Sequence, residues 1–357
     1  MFQSKHYVPA IKWRQGEYLA LAELSDAQRD RITPLVEIPP VPWDFDEEQP
    51  AKSVDQHLAR VPAQMAEHWG ERPVFVDTGL LDGEARMANA RHPIDDLFER
   101  LAVVNVPAIP VLSAEHDAAY QQAVAAVVAR DNRGVAIRLR PDDFANPNSA
   151  IAYMAELVDA PDDEIDLILD LGSIQPAQVQ LVQALAANAI NSITNIGAYR
   201  TLTLLSGAFP VNLSEIAPGF ALLPRSDWAL WVAVRNAAPV RQPSYGDYTA
   251  AHPEQQDGID PRLMQTSASI RYAADNDWVI ARGRSLRSPR FGGSAQYNTL
   301  CQQLVRHPLF TGGSFSWASD FIEQCANNGP RGNPATWRKV ATNRHVVWTA
   351  NQIANLP

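Results

Sequence analysis

GVAIRLR at residues 134–140 and EIDLILDL at residues 164–171 decide the fold. In the first run Ala136, Arg138 and Arg140 share one face, and Ile137 and Leu139 share the other. In the second, Asp166, Ile168 and Asp170 alternate with Leu167, Leu169 and Leu171. Successive side chains of a strand point to opposite faces. Each run therefore has one wholly apolar face, suited to meeting helices, and one mixed face that carries charge. A short β-rich run gives way to a helical stretch eight times along the 357 residues. Alternating strands and helices imply a parallel sheet wrapped by helices. Eight such units predict an α/β fold, a (β/α)8 TIM-like barrel with a decorated C-terminal region.

Working outward, the earlier strands are YVPAIKW at 7–13, a run at 33–38, another at 73–77 and VPAIPVL at 106–112. The later ones lie at 199–205 and around 242–248. The loop PPVPWDFDEEQP at 39–50 and the loop at 78–92 are long for connections on the functional side of a barrel. After the eighth strand the alternation stops. SASIRYAADNDWVIARGRSLRSPR, 267–290, reads as two short strands joined by a DND turn. Helices are expected at 294–306, near 317–327 and over the closing segment 335–356. The whole chain, 1–357, is expected to form a single barrel domain. Residues 251–291 form a hairpin and basic-loop decoration near the barrel mouth, and 292–357 supply closing helices.

Composition narrows the function classes. Hydrophobic residues make up 46% and charged residues 20%, enough for a full core. No run of apolar residues reaches the length of a conventional membrane span. The opening MFQSKHYVPAIKW carries no long apolar segment, so no secretion signal is expected and a cytoplasmic location follows. Cys301 and Cys325 lack a CxxC pattern or a histidine at ligand spacing and read as buried reduced thiols. No Walker A loop and no GxGxxG follows a strand, which argues against P-loop and Rossmann chemistry. From Arg262 onward there are 11 Lys+Arg and 4 Asp+Glu, against 19 and 36 before it, within a net charge of −10. The basic third either neutralises the acidic barrel or builds an anion site.

Polar side chains at the C-terminal ends of barrel strands gather around one pocket. The candidates are Lys12, Glu37, Asp77, Arg138, Arg140, Asp170 and Asp247, joined by Arg271 and Arg282 from the late hairpin. Strand-end carboxylates can hold a divalent cation or supply acid/base pairs. The competing reading is ion pairing with Lys12, Arg138 and Arg140, because interior charges must be compensated. Converging guanidinium groups suit a phosphate or carboxylate. The RGRSLRSPR run at 282–290 reads as a surface loop. Ser206 lacks a nucleophile elbow, and His345 on the terminal helix reads as a structural hydrogen-bonder. No catalytic residue follows, no cofactor is implied, and no HxH, HExxH or DxD pattern lies near these strand ends to raise the metal reading.

Taken in order, YVPAIKWRQGEYLAL, PLVEI, VDTG, PRSDWALW, GDYT, IRYAADNDW, VIARG, SFSWASDFI and WRKVATNRHV resemble the Beta protein family of bacteria and phages. The resemblance covers nearly the whole chain and lies in the order of the motifs. It implies a TIM-barrel-like organisation and a role in phage–host conflict, and it carries no catalytic residue. The leading expectation is a phage- or mobile-element-associated defence protein whose barrel pocket recognises a small anionic, phosphorylated ligand, with hydrolysis left open. The alternatives are a non-enzymatic platform for a partner protein or nucleic acid, and a metal-dependent phosphodiester hydrolase using Glu37, Asp77 and Asp170. The acidic whole-chain charge argues against broad nucleic-acid binding.

Overall fold

The computed structural model describes residues 2–237, 239–254, 260, 262 and 266–356. Eight strands close into a parallel barrel in chain order: β1 Tyr7–Lys12, β2 Leu35–Glu37, β3 Val74–Asp77, β4 Ala108–Leu112, β5 Val135–Leu139, β6 Ile165–Ser173, β7 Thr201–Gly207 and β8 Ser244–Asp247. β8 pairs with β1, with Pro9 opposite Asp247, and so closes the ring. The parity read from the two deciding runs holds. Ala136 and Ile168 pack inside with Val8, Ala10, Leu35, Phe75, Ile109, Val111 and Leu205. Ile137, Leu139, Leu167 and Leu169 face outward into the core shared with the helices.

The helical layer has physical starting points. Asp117 accepts from Ala119 N and Tyr120 N, satisfying first-turn donors of the helix Ala118–Asp131. Pro93 opens the helix Pro93–Val103, where a missing N–H costs nothing. Asn333 and Thr336 cap each other at the start of the terminal helix Pro334–Ala354, with Pro334 in its first turn. That last helix packs along Gln15–Ala22 and puts Val346, Val347, Ala350 and Ile353 into the barrel–helix core. It supplies the helix of the eighth unit.

The decoration is larger than a hairpin. Ser267–Ala273 and Asp277–Ser285 pair as expected, but Gly219–Pro224, from the connection after β7, adds a third antiparallel strand. One face of this sheet packs Ala268, Ile270, Tyr272, Val279 and Ala281 against the helices Gln296–Leu304 and Trp317–Ala326, where Cys301 and Cys325 lie buried and unbridged. The other face packs Trp278 and Ile280 toward Phe209 and Ala250 at the barrel mouth. Part of the expected 251–291 decoration, residues 255–259, 261 and 263–265, lies outside the described residues. Among the described residues no helix is long and apolar enough to cross a membrane.

Candidate functional site

Register lines up the first charges: Lys12 lies opposite Glu37, and Glu37 opposite Asp77. Arg138 reaches across from β5 into their midst. Its Nε donates to Asp170 Oδ2 at 2.9 Å, Nη1 to Asp77 Oδ2 at 2.6 Å, and Nη2 to Glu37 Oε1 at 2.9 Å. Nη2 also donates to the Tyr248 hydroxyl at 2.6 Å, and that hydroxyl donates to Asp170 Oδ2 at 2.6 Å. Arg140, half-exposed, donates to Asp170 Oδ2 at 2.5 Å. Lys12 Nζ stands 3.7 Å from Glu37 Oε2 and donates to Pro253 O at 2.8 Å. Six of the nine sequence candidates therefore meet at one end of the barrel.

The cluster is closed by its own partners. Arg138 is only 2% exposed and Asp170 is fully buried. Burial works to raise the Asp77 and Asp170 carboxyls, but Arg138, together with His116 and the Gly79 N–H at Asp77 and with Arg140, Tyr248 and the Gly172 N–H at Asp170, holds both below the usual carboxylate range. Gly79 N–H donates to Asp77 Oδ1 at 2.8 Å, and a Cβ on Gly79 would sit 2.5 Å from His116 Nε2. That close approach explains the glycine. Three carboxylates that would form a metal ligand set spend oxygens on a guanidinium placed where a cation would stand. Among the described residues no group of three or more His, Cys, Asp or Glu is arranged to hold a metal ion. His116, Tyr120 and Tyr248, which frame the cluster, were not legible beforehand. Their signals were a histidine three residues after Ser113 and a tyrosine directly after the last strand.

Asp247 does not join the cluster. Gly246 takes the interior position of β8, where a Cβ would lie 2.9 Å from Thr203 Cγ2. Asp247 therefore points the other way, toward the helices. It accepts from the Tyr7 hydroxyl at 2.5 Å, from Thr249 N at 2.9 Å and from His345 Nε2 at 2.6 Å. Trp278 Nε1 donates to His345 Nδ1 at 3.1 Å, so the Nε2 of His345 carries the proton. Burial pushes the His345 imidazole below its ordinary pKa. Burial also opposes the charge of Asp247, but His345, Arg225 and Tyr7 hold its carboxyl below the usual range. Arg225, missed by sequence reasoning, bridges the Ala274 and Asp275 carbonyls, Gln352 and Thr349. Asp227 lies beside this network with its Oδ2 buried and unpartnered; burial, then the Asp247 charge, push its carboxyl up to about 7. Ser206 pairs in register with Asp247 and likewise has the outward parity.

The hairpin arginines part company. Arg282 donates to Ser214 O at 3.0 Å and to Ile216 O, so its donors fasten the connection after β7 and form no anion site. Arg271 donates to Ala250 O at 2.6 Å and lies 4.5 Å over the Phe209 ring. No carboxylate pairs with it among the described residues. Burial, then the charge of Arg338, lower its pKa to about 10. It lines a cavity of 160 Å³ whose wall also includes Thr249, Ser267, Ser269, Tyr297, Arg338 and Thr342.

The segments PRSDWALW, GDYT, DNDW and NRHV thus converge on one buried network around Asp247. The profile of the Beta protein family matches residues 7–350. The chain belongs to the Beta protein family. No curated protein matches it. Among solved structures it is similar to triosephosphate isomerase from Bartonella henselae, at 10% identity and a TM-score of 0.36, over 69% of this chain and 94% of that one. The barrel of this family member is read from its own strand pairing, independently of that likeness.

Proposed function

We propose that this Beta protein family member is a recognition protein that binds a small phosphorylated ligand through its phosphoryl group, in the cavity between Arg271 and Arg338. One observation carries the reading. Arg271 is a largely buried cation with no carboxylate partner among the described residues, and it faces a cavity walled in part by hydroxyl side chains. A buried charge is costly unless paired, so an oxyanion seated there relieves a cost already present in the fold. Guanidinium groups and hydroxyls are the donors a phosphoryl group takes. The volume of 160 Å³ suits that group, and the rest of a nucleotide-sized ligand would extend outside.

Recognition has more support than hydrolysis. The carboxylates at the strand ends are bound by Arg138 and are not free to activate water or hold a metal. A nucleic-acid platform has less support too, because in the basic run Arg282 is spent on carbonyls while Arg284 and Arg290 lie over Phe291 at 5.2 and 5.7 Å. The role in phage–host conflict is part of the proposal and is carried by the family resemblance. Calorimetric titration with inorganic phosphate and with nucleoside monophosphates tests the binding. Arg271→Gln should weaken it by about 1.5–3 kcal/mol, the worth of a hydrogen bond to a charged group. Arg290→Gln should leave it unchanged. Equal binding by wild type and Arg271→Gln would move the site elsewhere. Phage plating on cells carrying either form tests the conflict role.

A further inference from the structure

At the N-terminal end of the barrel, opposite the strand-end charges, lies a cavity of 580 Å³. Its floor is apolar: Phe75 and Ile109, from the interior set, and Ile32. Phe2 stacks on His6 with ring centroids 4.2 Å apart and meets Phe75 edge-on at 6.3 Å, making an aromatic wall. Most of the charges here are satisfied. Asp166 accepts from Arg200 at 2.6 Å and from Thr201 at 2.7 Å, and Arg72 donates to Asp30 at 2.9 Å and Asp26 at 3.1 Å. Lys5 donates to Leu356 O at 2.8 Å and, like Arg29, has no ion pair among the described residues; Arg29 differs in carrying a buried orphan donor. It donates to Ala22 O at 3.1 Å, but its Nε is buried without a partner, and it has no ion pair among the described residues. Lys5, Arg29, Arg72 and Arg200 line the cavity against Asp30 and Asp166, so cations are in excess.

We propose that this cavity is a second ligand site, for a planar aromatic carboxylate whose ring lies against Phe2, Phe75 and Ile109 and whose charge is met by Arg29. Pockets of this size with apolar walls and a few placed polar groups are where small molecules bind. Burial and the Arg72 charge depress the pKa of Arg29, as expected of a cation short of an anion. The site is independent of the Arg271 cavity.

The test uses 2-naphthoate, titrated calorimetrically into the full chain at neutral pH, with 2-naphthalenemethanol as the uncharged ring of the same shape. Naphthoate should bind one to one and the alcohol about tenfold more weakly or worse, since a charge-assisted hydrogen bond is lost. Arg29→Gln should weaken naphthoate to the level of the alcohol, and Arg271→Gln should leave it unchanged. Ile109→Trp, which fills the floor, should abolish binding of both. Because Arg29 is only partly buried, its variant keeps the test decisive even if Ile109→Trp fails to fold. No binding of naphthoate to wild type, or equal affinity in wild type and Arg29→Gln, overturns the proposal.

Discussion

Arg138 and Arg271 are both arginines withdrawn from water at the same end of one barrel, yet their surroundings are opposite. Arg138 is ringed by Asp77, Asp170, Glu37 and Tyr248 and is almost wholly buried. Arg271 has a carbonyl, an aromatic ring and a second arginine, and it faces open space. The first is a structural cation whose anions are built into the chain. The second has no carboxylate in direct contact among the described residues, and Glu17, whose charge reaches it, is paired with Arg338 at 3.2 Å. The lesson is that a buried charge at a barrel mouth says little until its partners are counted.

The largest effect expected from this contrast is on folding. Arg138→Met leaves three buried carboxylates around an apolar side chain and should destabilise the protein by about 3–5 kcal/mol, read by urea denaturation. Arg271→Gln should behave oppositely and change stability by less than about 1 kcal/mol, because it removes a buried charge that no directly paired carboxylate compensates among the described residues. A loss as large as that of Arg138→Met would show that Arg271 too is a structural ion.

A smaller effect should appear in the pH dependence. The Asp227 carboxyl is raised to about 7 in the fold from an ordinary value of 3.8, so the folded state holds its proton more tightly than the unfolded chain does. Its contribution is full below the unfolded pKa and is lost as pH rises through about 7. Wild type should therefore lose stability relative to Asp227→Asn between mildly acidic and mildly alkaline pH. Comparison with the variant is needed because buried neutral histidines give a slope of opposite sign below about pH 6.5. A pH-independent difference would remove Asp227 from the account. An effect about as small as that of Arg271→Gln is expected for Arg282→Ala. With its donors on Ser214 and Ile216 carbonyls, the change should cost about 1 kcal/mol of stability and leave phosphate affinity unaltered.

The parts of this molecule that were legible in advance share a cause. β5 and β6 alternate cleanly, so the inward parity of Arg138, Asp166 and Asp170 could be read from spacing. SYGDYT could not be read that way. Gly246 has no side chain to mark its face, and both faces of the run carry a polar group, so Asp247 was placed inside when it points outward to Tyr7 and His345. The strand Gly219–Pro224 went unread because GFALLP does not alternate, and its partner, Asp277–Ser285, lies far along the chain. Charge counting found the basic C-terminal third but could not separate Arg271 from Arg282. That difference depends on which backbone carbonyls the fold brings within reach.

The central claim is that Arg271 is the ligand-binding cation at the barrel mouth, whereas Arg138 is a structural one. An anomalous-scattering map of crystals soaked in tungstate, a heavy analogue of phosphate, tests this most directly. The account predicts one peak between the Arg271 and Arg338 guanidinium groups, lost in Arg271→Gln, and none beside Arg138. A peak at Arg138 with none at Arg271, or no peak at either, would contradict it.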